Sequence, residues 1–122
     1  KWYNKTALPI AKKIAARQGF KGARWMKMTD PQAGEAPSNV GSFLTWQQPH
    51  YIYMAEEMYR ANPTDETIKK YAEGVEQTAL FMADFAKACA PKSGKIKQPC
   101  RNRCRKTSLP TIRLNRFTGT TD

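Results

Sequence analysis

Apolar positions recur at helical spacing in three stretches of this chain, and residues 1–90 show no strand-like alternation. Residues 2–18 form the first stretch, with Leu8, Ala11, Ile14 and Ala15 stepping by three and four. Gly19 follows as a C-cap, and Arg17 sits near the negative end of the helix dipole. Pro9 lies inside the pattern, so the helix is kinked there or begins there. A second helix is read over residues 42–61, broken near Pro49, with Ser42 as the N-cap candidate. Phe43, Leu44, Trp46, Ile52, Met54, Ala55, Met58 and Tyr59 make it apolar over most of its circumference, which predicts burial on more than one side.

The third helix carries the clearest pattern. Asn62-Pro63-Thr64 stops the second helix and caps the next, and Asp65 and Glu66 fall in the positive first turn. Ile68, Tyr71, Ala72, Val75, Ala79, Met82, Phe85 and Ala86 define one face over residues 65–86, with Lys69, Lys70, Glu73 and Glu76 on the other. The short link at 62–64 predicts an antiparallel helical hairpin.

Between the first two helices, residues 19–41 are broken by Asp30-Pro31, Ala36-Pro37 and the glycines at 19, 22, 34 and 41. Long loops in compact regions are usually functional or disordered, and this one holds Trp25 and Met28, which disordered segments tend to lack. Read together, GARWMKMTDPQAGE (Gly22–Glu35) and WQQPH (Trp46–His50) concentrate Trp, Arg, Lys, Asp, Glu, Gln and the only His of the chain. Most of these groups are costly to bury without partners, so a core is not built this way. A sugar site often is. An aromatic face takes the apolar side of a ring, while carboxylates, amides and basic groups take its hydroxyls. The plain alternative is a polar connector between two helices. For His50 it is a helix-start histidine bonded to backbone, and for Glu56 and Glu57 a solvated helix face.

Charge changes the picture at one end only. The net charge is +11, from 21 Lys+Arg and 10 Asp+Glu. Residues 1–86 hold 11 basic and 9 acidic residues, whereas residues 87–122 hold 10 basic residues and only Asp122. All three cysteines, Cys89, Cys100 and Cys104, are in that tail. The length fits at most one domain of usual size, and the Lys1 start suggests a processed or interior piece of a longer chain. No apolar run of membrane-spanning length and no signal-peptide pattern is present, so no membrane partner is expected.

The run AKKIAARQGFKGARWMKMTDPQAGEAPS…GSFLTWQQPHYIYMAEEMYRA…ETIKKYAEGVEQTALFMADFA resembles bacterial six-hairpin glycosidases, nearest to glycoside hydrolase family 65-like proteins. The resemblance covers roughly residues 3–86 and rests on G-x-x-G-A-R-W-x-K-M, an acidic G-E-x-P turn and W-Q-Q-P-H in that order. Met26 departs from it, where a proline is expected in most relatives. The resemblance implies an all-α fold, with this chain supplying about three helices of an (α/α)6 toroid whose site lies at one open end. It implies a fragment of a carbohydrate-active enzyme that hydrolyses or phosphorolyses α-glycosidic bonds with inversion, on an oligosaccharide or glycoside substrate and without metal or cofactor. Arg24, Trp25, Lys27, Met28, Asp30 and Glu35 match the loop facing the sugar, and Trp46, Gln47, Gln48 and His50 match the start of the next inner helix. Trp25 would stack on a pyranose ring, and Arg24, Asp30, Gln48 and His50 would bond its hydroxyls. Glu35 is the weak catalytic candidate. Inverting hydrolases need two carboxyl groups roughly 6.5–9.5 Å apart. In relatives the general acid follows the helix that here ends near Phe85, in a region where this chain has no Glu. Inactivity of this chain is therefore expected.

After Ala86 the resemblance stops. Residues 87–122 read as an irregular, disordered basic tail that could bind nucleic acid non-specifically, although Phe117 is its only aromatic residue. The Cys100-x3-Cys104 spacing is a poor zinc signal. A shifted reading frame accounts for more. Out of frame, Pro99–Thr107 can encode Leu-Pro-Glu-Ser-Met-Pro-Glu-Asp, and Phe117–Asp122 can encode Tyr-Trp-His-Tyr-Gly. Relatives carry a Pro/Glu-rich loop followed by an aromatic Tyr-Trp helix in that region. The expected domain is thus residues 1–86, a partial barrel lacking its remainder. The rivals are a small helical nucleic-acid-binding protein using the tail and a plain helical interaction module.

Overall fold

The computed structural model describes residues 1–38, 40–41 and 44–89. The readings of Ser42 as a cap, of Phe43 as a core residue and of the tail from residue 90 onward lie outside the described residues. Among the described residues three α-helices follow one another: α1, Leu8–Arg17; α2, His50–Ala61; α3, Asp65–Cys89. Among the described residues there is no strand, only an isolated antiparallel bridge between Thr29 and Glu35. The chain is all-α.

Pro9 explains how the first helix begins. It occupies the second position of α1, where a missing N–H leaves no gap in the ladder. Before it, Tyr3–Ala7 form a π-helical turn. Such a wider turn gives room for the proline ring, which in a continuous α-helix would press on the carbonyl four residues back. The other end closes as the sequence predicts. Gly19 has φ 76°, its N–H donates to Ala16 O at 3.0 Å, and Phe20 N–H donates to Ala15 O at 2.9 Å. This is a Schellman closure, which needs the left-handed residue that glycine supplies.

The second helix is shorter than its apolar run. It starts at His50, and Trp46–Pro49 form turns ahead of it instead of the helical turn expected from residue 42 onward. Glutamines 47 and 48, expected in the helix, are instead turned to the backbone of the preceding loop (below). Burial also corrects the expectation of a helix wrapped on several sides. Only Tyr51 and Ala55 of α2 are buried, while Tyr53, Met54, Met58 and Tyr59 are exposed.

The third helix begins as its sequence dictates. Thr64 Oγ1 accepts from Thr67 N–H at 3.3 Å, and Asp65 and Glu66 occupy the first turn. It runs on through Lys87 and Ala88 to Cys89, past the boundary expected at Ala86. Its packed face differs from the most apolar one. Thr67, Gly74, Thr78 and Phe81 are buried, whereas Ile68, Ala72, Ala79, Met82 and Ala86 are exposed. At about 100° per residue the two faces are offset by roughly a quarter turn. The small residues explain the choice, because they let neighbours come close. A Cβ on Gly74 would lie 2.3 Å from the Tyr51 ring, so α2 seats its tyrosine where α3 has no side chain.

Two clusters of buried side chains stand out among the described residues. Leu8, Ala11 and Ala23 pack with Trp25, and Ala15, Phe20 and Phe81 pack with Phe85 and Ala88. Both join α1 to the loop segment 20–25, and the second joins that segment to α3. The loop is therefore part of the core, not draped over it.

Candidate functional site

The backbone groups of residues Ala23–Trp25 are shared among α1, α3 and the turn that precedes α2. Ala23 N–H donates to Gln77 O of α3 at 2.9 Å, and Arg24 N–H donates to Ala11 O of α1 at 3.0 Å. Trp25 N–H donates to Gln48 Oε1 at 2.9 Å, while Gln48 Nε2 donates to Ala23 O at 2.6 Å. Gln47 Nε2 donates to Trp25 O and to Leu44 O, each at 2.9 Å. The two adjacent glutamines thus supply by side chain what a neighbouring strand would supply by backbone. The close approach to α3 depends on Gly22, whose φ is 79° and where a Cβ would meet Gln77 O at 2.3 Å.

This clamp sets Trp25 in place. Its indole stacks on Tyr51, with centroids 4.9 Å apart and planes 7° apart, and its Nε1 donates to Thr78 Oγ1 at 2.9 Å. One indole face is therefore covered by protein. Tyr51 in turn donates its hydroxyl to Asn4 Oδ1 at 2.6 Å. Burial, with Tyr71 and Glu73 nearby, raises the Tyr51 pKa above its ordinary 10.0.

Beside the stacked pair lies a cavity of about 270 Å³, close to the lower end of ordinary ligand sites, roughly 300 Å³. Of the residues singled out from sequence, Arg24, Trp25, Lys27, Trp46, Gln47 and His50 line it. Segments about twenty residues apart in sequence meet here. Trp46 is the accessible aromatic, 58% exposed, and it packs edge-on against His50 at 5.3 Å. Lys27 and His50 are exposed at the cavity.

Asp30, Glu35 and Gln48 sit elsewhere, and Arg24 is turned to protein partners. Gln48 is buried, with both ends of its amide bonded to backbone, and it does not line the cavity. Arg24 lines the cavity but is fully buried. Its guanidinium donates to Gln18 Oε1 and lies over Phe81 and Phe85, 5.7 and 6.0 Å from their centroids. Asp30 shapes the turn, where Gly34 N–H donates to Asp30 Oδ1 at 2.7 Å. Glu35 forms an ion pair with Arg17 of α1. Neither carboxylate lines the cavity, although Thr29 and Ala33 of the same turn do. Glu56 and Glu57 are exposed and pair with Arg60 at 2.6 and 3.3 Å. The cavity lining contains no Asp or Glu among the described residues. Nor do the described residues hold a cluster of metal ligands or a helix long and apolar enough to cross a membrane.

Tyr51, like Trp2 and Tyr3, is a cavity residue that the apolar pattern does not single out. Tyr51, Ile52, Tyr53 and Met54 follow one another at the start of α2, so the period alone does not select which of them turns inward. No protein-family model, no curated protein and no solved structure matches this chain.

Proposed function

We propose that residues 1–86 are the sugar-binding end of a glycosidase-like helical barrel, a piece of an enzyme that acts on α-glycosidic bonds by hydrolysis or phosphorolysis. The observation that carries this reading is the cavity itself. Trp25, Lys27, Trp46 and His50, picked out as sugar-facing from their sequence, border one concavity. Trp46 offers the accessible ring for stacking, and Lys27 and His50 offer hydrogen bonds to hydroxyls. Trp25, with one face already on Tyr51, holds the wall.

The exposed apolar face of α3 and the exposed Tyr and Met side chains of α2 support a place within a larger helical layer, whose other helices would cover them. The cavity has no carboxylate among the described residues, so this chain binds without catalysing. A catalytic acid would come from the remainder of the barrel.

Titration with methyl α-D-glucopyranoside, followed by tryptophan fluorescence, tests this. At about 0.3 kcal/mol per heavy atom, a ligand of about 13 such atoms binds with a dissociation constant on the order of 1 mM. Trp46→Ala should weaken it about fivefold or more, the loss of one stacking contact of about 1 kcal/mol. No saturable binding would remove the sugar reading. Turnover of an α-glucoside by this chain would overturn the separation of binding from catalysis.

A further inference from the structure

A second cavity, of about 350 Å³, adjoins the first, and Tyr3, Tyr51 and Met54 line both. Tyr51 is buried, whereas Tyr3 and Met54 are 46% and 38% exposed. The shared wall is therefore partly open to solvent, not a sealed partition, and one ligand can reach into both cavities. Their chemistry differs. To the second, α2 adds Tyr53 and Met58 and α3 adds Tyr71, so four of the five tyrosines of the chain border it. Its charged lining residues, Lys1 and Glu57, are exposed. Its amide, Asn4, is engaged at both ends: Nδ2 donates to Lys70 O at 2.8 Å, and Oδ1 accepts from the Tyr51 hydroxyl at 2.6 Å. Lys27 and His50, the groups assigned to sugar hydroxyls, line the first cavity and not the second.

A lining rich in tyrosine and methionine suits an apolar ring better than a polyol. Tyrosine rings pack against an aromatic ligand by face or edge, and the flexible thioethers adapt to its outline. A second sugar would give up water at several hydroxyls and find few groups to replace it. Size permits the ring, since a cavity of about 150 Å³ is enough to hold benzene. We infer that the ligand of this chain is a glycoside with an aromatic aglycone, its sugar in the first cavity and its aglycone in the second. This rests on the sugar reading of the first cavity and goes past it, because it names what the sugar is attached to. Tyr53 and Met58 isolate the new site. They line the second cavity and not the first, and at 61% and 48% exposed they can be shortened without disturbing the fold.

The test compares methyl α-D-glucopyranoside, phenyl α-D-glucopyranoside and maltose by isothermal titration calorimetry on the whole chain. The phenyl glucoside should bind about tenfold more tightly than the methyl glucoside, and maltose should stay within about threefold of the methyl glucoside. In Tyr53→Ala and in Met58→Ala the advantage of the phenyl group should shrink to about threefold or less, with binding of the methyl glucoside unchanged. Trp46→Ala, in the first cavity, should weaken both glucosides alike. If neither glucoside binds, the sugar reading falls and the aglycone site with it. If the phenyl glucoside alone binds and Trp46→Ala leaves it unchanged, no sugar sits in the first cavity and both fall as well. If the methyl glucoside binds but the phenyl glucoside is no tighter, or keeps its full advantage in both variants, the sugar reading stands and the aglycone site is overturned. Maltose binding as tightly as the phenyl glucoside would overturn it too, in favour of a second sugar.

Discussion

At Gly22 a single hydrogen atom decides whether the loop can reach α3. A Cβ there would lie 2.3 Å from Gln77 O and 2.5 Å from Phe81 N, both backbone atoms that cannot swing away, and the φ of 79° is unfavourable for any other residue. Gly22→Ala should therefore cost more than about 2 kcal/mol, read as a drop in the urea midpoint. Tyr51 makes a second prediction, from pH. Its hydroxyl is protonated more firmly in the folded chain than in the unfolded one, chiefly through burial. The stability it contributes is fully present below about pH 10 and is lost as pH rises through the raised folded value. The stability difference between the native chain and Tyr51→Phe should be constant up to about pH 10 and shrink above it, in denaturation series run between about pH 8 and pH 11. A difference that stays flat to the top of that range would show that the hydroxyl titrates alike in both states. Residue types alone mark the Gly22–Glu35 and Trp46–His50 segments as belonging together. They do not show that Gln48 and Arg24 face inward, because glutamine and arginine are read as surface residues until their partners are known.

Element boundaries are legible in the sequence wherever a backbone rule applies. Gly19 closes α1, Pro9 sits at its start, and Asn62-Pro63-Thr64 separates α2 from α3. Faces are less so. Hydrophobic period points α3 inward through Ile68, Ala72 and Met82, yet the packed face is the one where Thr67, Gly74 and Thr78 admit close neighbours. Periodicity measures how apolar a face is. Packing also depends on how near a partner can approach, and small residues carry no signal in an apolar pattern. The start of α2 departs from its pattern for a related reason, since the side chains of Gln47 and Gln48 pair with the Ala23–Trp25 backbone and so favour turns over helix. This pairing predicts that Gln48→Ala frees Trp25 N–H and Ala23 O together. Two lost bonds at about 1 kcal/mol each give a destabilisation of about 2 kcal/mol. Trp25 emission should shift to longer wavelength as its indole parts from Tyr51, and an unshifted spectrum would mean that the stacking holds the loop without the clamp.

On the scale of the whole molecule, two apolar surfaces remain uncovered among the described residues. One is the α3 face through Ile68, Ala72, Ala79 and Met82, and the other is made by the exposed side chains of Tyr53, Met58 and Tyr59 on α2. Single exposed apolar side chains are ordinary, but a face repeated over several turns of a helix normally has a partner. The sequence makes these faces visible as apolar stripes and so predicts their burial. The three helices leave them open. The physical consequence does not depend on what covers them. The chain should bind the dye ANS, and its sedimentation should grow faster with protein concentration than that of a compact monomer. Ile68→Lys combined with Met82→Lys tests the source. Both positions are exposed, at 50% and 38%, so the substitutions create no cavity and should leave the helical circular dichroism within about 10% of the parent. Dye binding and self-association should fall at least about twofold, because two charges now stand in the middle of the stripe. If both are unchanged while the helices persist, the α3 face is not what associates, and the exposed Tyr and Met side chains of α2 become the surface that seeks a partner.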